Sequence, residues 1–207
     1  MIYEVRTYDL LPRSLSEVIK RFSEGYEDRK KLSEMAGIFY SEIGPLNQIV
    51  HIWPYDSADE RARVRKEALS LKTWPPGIGK YVLRQIVEIY EPWPISPSLE
   101  PGEWGPIYEF RSYMVTVGRM GEYLSRWKTA LPGRAKHSPV SVVMECDVGT
   151  ASKLMHIWPY KSLDERAKIR KQAEDEGVWP PKGDPDMKVL DAMENKIMLP
   201  ASFSPLQ

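Results

Sequence analysis

Residues 51–55 read His-Ile-Trp-Pro-Tyr, and the same five residues occur unchanged at 156–160. The opening segment Ile-Tyr-Glu-Val-Arg-Thr-Tyr at 2–8 returns as Ile-Tyr-Glu-Phe-Arg-Ser-Tyr at 107–113, and Trp-Pro-Pro at 74–76 returns at 179–181. All these pairs share one offset, and about 27 of the 75 positions from 2 to 76 are identical to their partners. The chain is therefore an internal duplication, and one repeat unit decides the fold.

Each repeat predicts the same series of strands and helices. Alternating apolar and aromatic residues predict strands at 2–8, 37–43, 47–54 and 86–90, with 195–199 as the last strand of the second repeat. Helical periodicity predicts a helix over 13–31 and a second from Ser57 to about residue 70. Ser57 and Glu60 form a predicted capping box at the start of this helix, and Ser162 and Glu165 repeat it. In such a box the serine accepts from a free backbone N–H, and the glutamate three residues later reaches back to the serine N–H. The order βαββαβ is that of the ferredoxin-like unit.

The predicted fold class is α+β, with two ferredoxin-like modules packed as an intramolecular pseudo-dimeric α/β barrel. One such unit leaves a sheet face open, and a second copy in the same chain can cover it. The expected division is a first module at 1–91, a Pro-rich, extended connector at 92–106, and a second module at 107–207. We expect each Trp-Pro-Pro segment to form a rigid cover over an end of the barrel.

Composition excludes several classes of protein. The 29 Lys and Arg balance the 29 Asp and Glu, so no basic surface for nucleic acid is expected. Cys146 is the one cysteine, which excludes an intramolecular disulfide and fits a reducing compartment. The three histidines have no i, i+4 partner, so we expect no metal site. The lack of a long apolar run predicts no membrane span, and the direct start on a strand predicts a cytoplasmic protein.

Strand alternation selects the candidate site residues. Tyr3 and Val5 form an apolar face that suits packing against helices, so by elimination the opposite face is expected to line the barrel interior. In the first repeat this face carries Glu4, Arg6, Tyr8, His51 and Trp53, and in the second Glu109, Arg111, Tyr113, His156 and Trp158. Aromatic walls with a few convergent polar groups are typical of a small-molecule pocket.

Two structural alternatives compete with a ligand site. Glu4 and Arg6 can simply pair with each other, because buried charges are normally paired, and His51 can be a core histidine bonded to a backbone carbonyl. The second helix presents Arg61 and Arg65, which recur as Arg166 and Arg170. These arginines either reach carboxylates such as Glu4 or Glu88, or hold an acidic ligand.

With these residues identified, the chain resembles the NIPSNAP family. The matching features are the Tyr-Glu-x-Arg-x-Tyr strand, the His-x-Trp-Pro-Tyr strand, the Ser-x-x-x-Arg-x-x-x-Arg helix, the later tryptophan and the Phe-Ser-Pro terminus at 203–205. The resemblance covers nearly all of both repeats, although Ile-Ser-Pro at 95–97 replaces the aromatic version in the first. It implies a barrel fold shared with cofactor-free monooxygenases and haem-degrading enzymes, but no settled catalytic mechanism.

Three functions follow as hypotheses. The leading one is a small-molecule or partner-binding module whose ligand is a small apolar or aromatic acid. The second is a cofactor-free oxygenase or haem-handling enzyme that uses His51 or His156 as a base or axial ligand. The third is a scaffold that docks proteins on its Pro/Trp connector. The sequence identifies no cofactor, and it leaves open whether chains associate into a further homo-oligomer.

Overall fold

Both repeats form the expected series of elements in a computed structural model, which describes residues 1–184 and 187–207. The first repeat contains β1 (Ile2–Leu10), α1 (Leu15–Arg29), β2 (Gly37–Ile43), β3 (Gln48–Tyr55), α2 (Ala58–Ala68) and β4 (Val82–Pro92). The second contains β5 (Ile107–Val115), α3 (Met120–Arg134), β6 (Val142–Val148), β7 (Lys153–Tyr160), α4 (Leu163–Asp175) and β8 (Leu190–Pro200). A 3-10 turn at Gly79–Tyr81 precedes β4. The α+β class and the βαββαβ order are confirmed.

The strands close into one barrel in the order β1-β3-β2-β8-β5-β7-β6-β4. Two seams join the repeats, because β4 pairs with both β1 and β6, while β8 pairs with both β5 and β2. All of these pairings are antiparallel. The last strand of each repeat therefore completes the sheet of the other, and the intramolecular pseudo-dimeric barrel is confirmed.

The segments that follow β4 and β8 cross to the opposite repeat. Ser96 Oγ accepts a hydrogen bond from the backbone N–H of Val143 in β6 at 2.8 Å. Its counterpart, Ser204 Oγ, accepts from the N–H of Ile38 in β2 at 3.1 Å. Because each segment satisfies a buried donor in the other repeat, the halves are interlocked.

The barrel interior is apolar and is built by both repeats. The ring of Phe39 on β2 lies 4.9 Å from that of Tyr108 and 5.1 Å from that of Phe110, both on β5. The same cluster includes Tyr3, Val5, Val50, Ile52, Tyr90, Met144, Met155 and Ile157. The expectation that this apolar face packs against helices was therefore wrong. The interior of a closed barrel of eight strands is filled by side chains, so the most apolar face of each strand points into the barrel.

The helices cover the outer face of the sheet. The buried side of α1 carries Val18, Phe22, Tyr26 and Arg29, spaced at helical intervals. Phe22 packs on the outer face, with its ring 6.2 Å from Tyr8 and 5.1 Å from His51. The polar face of β1 and β3 therefore lies beneath the helices and not inside the barrel. None of the helices in the described residues is both long and apolar enough to cross a membrane.

The capping boxes begin α2 and α4 as predicted, with one difference. Ser57 Oγ accepts from the N–H of Glu60 at 3.1 Å, and Ser162 Oγ accepts from Glu165 at 3.0 Å. The carboxylate of Glu60, however, accepts from the N–H of Asp56 at 2.6 Å, one residue before the predicted donor.

The connector between the repeats is partly buried. Trp93 packs against the core beneath α3, and Leu99 joins the barrel interior. Trp104 is 46% exposed, so it is the aromatic side chain of this segment that remains open to solvent. Scaffold docking on the connector would therefore have to use the region of Trp104 and not the whole segment.

Candidate functional site

A cavity of about 530 Å³ lies between the sheet and the helices of the first repeat. Its walls combine aromatic and charged side chains. They include Glu4, Arg6, Tyr8, Phe22, Arg29, His51, Trp53, Tyr55, Arg65, Lys66, Trp74, Pro76 and Ile78. The cavity is therefore built by β1, β3, α1, α2 and the segment that leads into β4.

Glu4 is the carboxylate on which the arginines converge. It is 1% exposed and accepts from Arg6 at 2.7 Å, from Arg65 at 2.6 Å and also from Arg61. The spacing i, i+4 places both helix arginines on the side of α2 that faces the sheet. Burial alone raises the pKa of Glu4, but the hydrogen bond from Arg6 and the arginine charges outweigh it and hold that pKa below its usual value.

The second repeat contains the same carboxylate centre. Glu109 is fully buried and accepts from Arg111 at 2.6 Å, from Arg166 at 2.6 Å and from Asn195 at 3.1 Å. Arg170 lies 4.0 Å from the other carboxylate oxygen. The prediction that the helix arginines reach a carboxylate is thus confirmed in both repeats, and this arrangement on Glu4 and on Glu109 is called the arginine fork. Glu88 lies elsewhere and bonds Lys153.

The structure separates the predicted site residues into two groups. Glu4, Arg6, Tyr8, His51, Trp53 and Arg61 lie beneath α1 and α2. Their counterparts Glu109, Arg111, Tyr113, His156, Trp158 and Arg166 lie beneath α3 and α4. The expectation of one shared barrel lining was wrong, because the barrel interior takes the opposite face of each strand.

His51 is held as a neutral hydrogen-bond donor. The indole N–H of Trp53 donates to its Nδ1 at 2.6 Å, and an indole can only donate. The proton of the neutral imidazole therefore sits on Nε2, which is buried and without a hydrogen-bond partner among the described residues. Burial, followed by the charge of Arg6, lowers the pKa of His51 well below its usual value. His156 is fixed in the same way by Trp158 at 2.6 Å.

This tautomer does not fit the proposed roles of His51. A general base or an axial haem ligand needs a free lone pair, yet the lone pair on Nδ1 is occupied by Trp53 and Nε2 carries the proton. His51 is also not bonded to a backbone carbonyl, as the structural alternative expected. It lies in the wall of the cavity, and its Nε2–H is buried and has no hydrogen-bond partner among the described residues.

Arg29 is a buried charged residue of the cavity that sequence reasoning missed. It is 3% exposed, donates to the Ser33 hydroxyl at 2.9 Å and the Tyr55 hydroxyl at 3.1 Å, and lies 4.3 Å above the ring of Trp53. No carboxylate lies within ion-pair distance in the part of the chain that the structure describes. Burial lowers its pKa, against the opposing effect of Tyr55. Arginine is retained here in both repeats, as Arg29 and Arg134, on a helix side that is otherwise apolar, and that was the available signal.

The Trp-Pro-Pro segment closes one side of this cavity. The ring of Trp74 lies 5.8 Å from those of Phe22 and Trp53, and Pro75 follows through a cis peptide bond. Pro76 and Ile78 continue the wall. The segment therefore covers the space beneath the helices, and the prediction that it covers an end of the barrel was wrong.

The second repeat replaces Phe22 by a larger ring. Trp127 is completely buried, and its ring lies 4.8 Å from His156 and 4.8 Å from Trp179. The corresponding distances from Phe22 in the first repeat are 5.1 Å and 5.8 Å. The space between sheet and helices is thus more tightly filled around this position in the second repeat. Among the described residues, no group of three or more His, Cys, Asp or Glu is placed to hold a metal ion.

Sequence relatives cover either the whole chain or part of it. The NipSnap homolog 3B of Homo sapiens is 26% identical over 213 residues, which span 99% of this chain and 85% of the relative. A NipSnap homolog of Dictyostelium discoideum is 46% identical over 79 residues, which span 38% of this chain and 35% of that protein.

Solved structures show two kinds of similarity. A NIPSNAP family protein of unknown function from Agrobacterium tumefaciens is 38% identical, covers 47% of this chain and 92% of its own, and has a TM-score of 0.45. A putative monooxygenase from Lactobacillus acidophilus covers 97% of this chain and 94% of its own, with a TM-score of 0.67. Because it is only 10% identical, it is similar to this chain in fold alone.

The sequence profile of the NIPSNAP family matches residues 3–97 and again residues 108–205. These two matches coincide with the two repeats and leave residues 98–107 between them. This family match carries the fold but no reaction. This chain belongs to the NIPSNAP family, with two copies of the family's module in one barrel.

Proposed function

We propose that the cavity of the first repeat binds a small carboxylic acid with an apolar or aromatic body. The observation that carries this proposal is Arg29, a buried guanidinium that faces the cavity without a carboxylate partner among the described residues. A buried charge without a counter-ion is costly, and a ligand carboxylate would supply that counter-ion. Guanidinium is also the side-chain group best matched to a carboxylate.

The charge of the whole cavity supports an anionic ligand. Arg6, Arg65 and Lys66 join Arg29 in the lining, and Glu4 is the acidic side chain among the lining residues. Glu4 is already engaged by three arginines. The remaining positive charge therefore has no carboxylate partner among the described residues of the lining, and it favours an acid over a neutral analogue.

The shape of the cavity supports an apolar body on that acid. Phe22, Trp53 and Trp74 form aromatic walls, and the volume of about 530 Å³ is typical of small-molecule sites. The Nε2–H of His51 adds one donor for an oxygen of the ligand. Aromatic walls with one cationic end and one neutral donor suit an aromatic acid better than a sugar or a nucleotide.

Titration calorimetry with phenylacetate tests the proposal, with phenylacetamide as the neutral analogue. We expect Arg29→Met to weaken phenylacetate binding at least about tenfold, because a charged hydrogen bond contributes roughly 1.5–3 kcal/mol. Arg29→Lys, which retains the charge, should lose less. Arg134→Met is the matched control in the second repeat, and it should leave this binding unchanged.

Three outcomes would contradict the proposal. They are equal binding of phenylacetate and phenylacetamide, equal weakening by Arg29→Met and Arg134→Met, and no measurable binding of either compound. Should Arg29→Met fail to fold, Arg65→Gln replaces a more exposed arginine of the same lining and should weaken phenylacetate selectively.

A further inference from the structure

A second cavity of about 200 Å³ lies at one end of the barrel interior. Its lining comes from both repeats and includes Thr7, Gln48, Glu88, Ser112, Lys153 and Lys196. By strand alternation, these side chains lie on the same face as the apolar filling of the barrel. The cavity is therefore a polar mouth of the barrel, separate from the cavity beneath the helices.

The pseudo-symmetry of the barrel is broken in this mouth. Glu88 on β4 accepts from Lys153 on β7 at 2.7 Å, and also from the hydroxyls of Thr150 and Tyr90. The symmetric positions are Lys196 on β8 and Gln48 on β3, which are hydrogen-bonded to each other. Glu88 and Lys153 thus form an ion pair, whereas at the symmetric positions the amine of Lys196 donates to the neutral amide of Gln48.

Lys196 has no carboxylate within ion-pair distance among residues 1–184 and 187–207. The charged groups around it are Lys153 on β7, Glu88 and Arg84 on β4, Asp9 on β1 and Glu194 on β8. The carboxylate of Asp9 accepts hydrogen bonds from Arg84 at 2.8 Å and from the side-chain amide of Gln48 at 2.7 Å. Burial, followed by the charge of Lys153, lowers the pKa of Lys196 to about 8.

We propose that Lys196 is an amine nucleophile that forms an imine with a small carbonyl compound admitted through the barrel mouth. The nitrogen lone pair bonds to the carbonyl carbon, and one amine proton moves to the carbonyl oxygen. Loss of water from this carbinolamine then gives the imine, so the step needs no oxidant or reductant. A lysine that is partly desolvated and adjacent to another cation is suited to this chemistry.

Reductive trapping on the full chain tests the proposal. Glyoxylate and cyanoborohydride at pH 7 leave a carboxymethyl group on each lysine that forms an imine, and peptide mass spectrometry reads the rate at each position. At a pKa of about 8, roughly a tenth of the amine is free at pH 7, against about one in 3,000 at the ordinary value of 10.5. We expect Lys196 to react on the order of 100-fold faster than the exposed lysines, since its lower basicity offsets part of that gain.

The broken symmetry supplies a matched control. Gln48→Glu gives Lys196 the carboxylate partner that Glu88 gives Lys153, and labelling of Lys196 should fall to the rate of the exposed lysines. Labelling of Lys196 at the rate of the exposed lysines in the native chain would overturn the proposal, as would an unchanged rate in Gln48→Glu. Near-UV circular dichroism checks that the variant keeps its packing. The site lies outside the first cavity, so phenylacetate binding is expected to be unaffected.

Discussion

The buried histidines make the stability of the barrel depend on pH in a calculable way. His51 and His156 are almost completely buried, and both accept a hydrogen bond from an indole at Nδ1. Their pKa values are well below the usual 6.5, so the folded chain keeps them neutral while the unfolded chain protonates them as the pH falls. Stability attributable to these groups is therefore complete above about pH 6.5 and declines below it.

The expected magnitude follows from proton linkage. With an unfolded pKa of 6.5 and no protonation of the folded form, lowering the pH from 7 to 5 costs about 2 kcal/mol for each histidine, or about 4 kcal/mol for both. The lowered pKa values of Glu4 and Glu109 act in the same direction but at lower pH, because their contribution is lost only as the pH falls through those values. The interval from pH 7 to 5 therefore isolates the histidines.

Urea unfolding followed by far-UV circular dichroism at pH 7 and pH 5 measures this difference. His51→Gln together with His156→Gln keeps an acceptor for each indole but removes the titrating groups, so the loss between the two pH values should shrink by about 4 kcal/mol. His137→Gln is the control, since that histidine pairs with Glu176 outside both sites. A double variant with the same pH dependence as the native chain would refute the assignment of neutral, Nδ1-accepting imidazoles.

Three further changes test the architecture. Ser57→Ala and Ser162→Ala should each cost about 1 kcal/mol in urea unfolding, because each leaves a donor of its helix unsatisfied; unchanged midpoints would contradict the capping role. Glu4→Gln and Glu109→Gln should each cost roughly 3 kcal/mol by the same assay, because each leaves several arginines without their carboxylate. A loss below about 1 kcal/mol would show that the arginines are well solvated. Residues 1–98 alone should dimerise or aggregate in sedimentation analysis, because both seam strands lose their partners. A stable monomer of that fragment would contradict the interlocked barrel.

The fold was predictable from the sequence because both repeats carry the same pattern of strand and helix residues, so each repeat supports the prediction made from the other. Strand β2 occupies the predicted residues 37–43, and helix α2 follows its predicted serine cap. Strand alternation also grouped the site residues correctly on one face of β1 and β3. The sequence does not reveal which face a closed barrel turns inward, since both faces are buried, one by the other repeat and one by the helices.

The contents of the site were only partly predictable. The arginine fork on Glu4 was one of two alternatives that the positions of Arg61 and Arg65 on the helix predicted, the other being an acidic ligand. Arg29 escaped notice because helical periodicity assigns its position to the apolar side of α1, where a charge is not expected. The broken symmetry at Lys196 and Gln48 was not visible in the sequence. The offset that aligns β8 with β4 is longer than the one that aligns the other elements of the repeats, so Lys196 is not aligned with Glu88 in the sequence comparison. Gln48 and Lys196 lie on β3 and β8, which are separated by β2, so only the closed barrel brings the two side chains together.

A crystal structure with bound bromophenylacetate would locate the acid directly, since the anomalous signal of bromine marks the ligand without any variant. Our account predicts one site in the first repeat, with the ring against the aromatic wall formed by Phe22, Trp53 and Trp74 and the carboxylate on Arg29. Bromine in the barrel mouth, on the surface near Trp104, or equally in both repeats would contradict it.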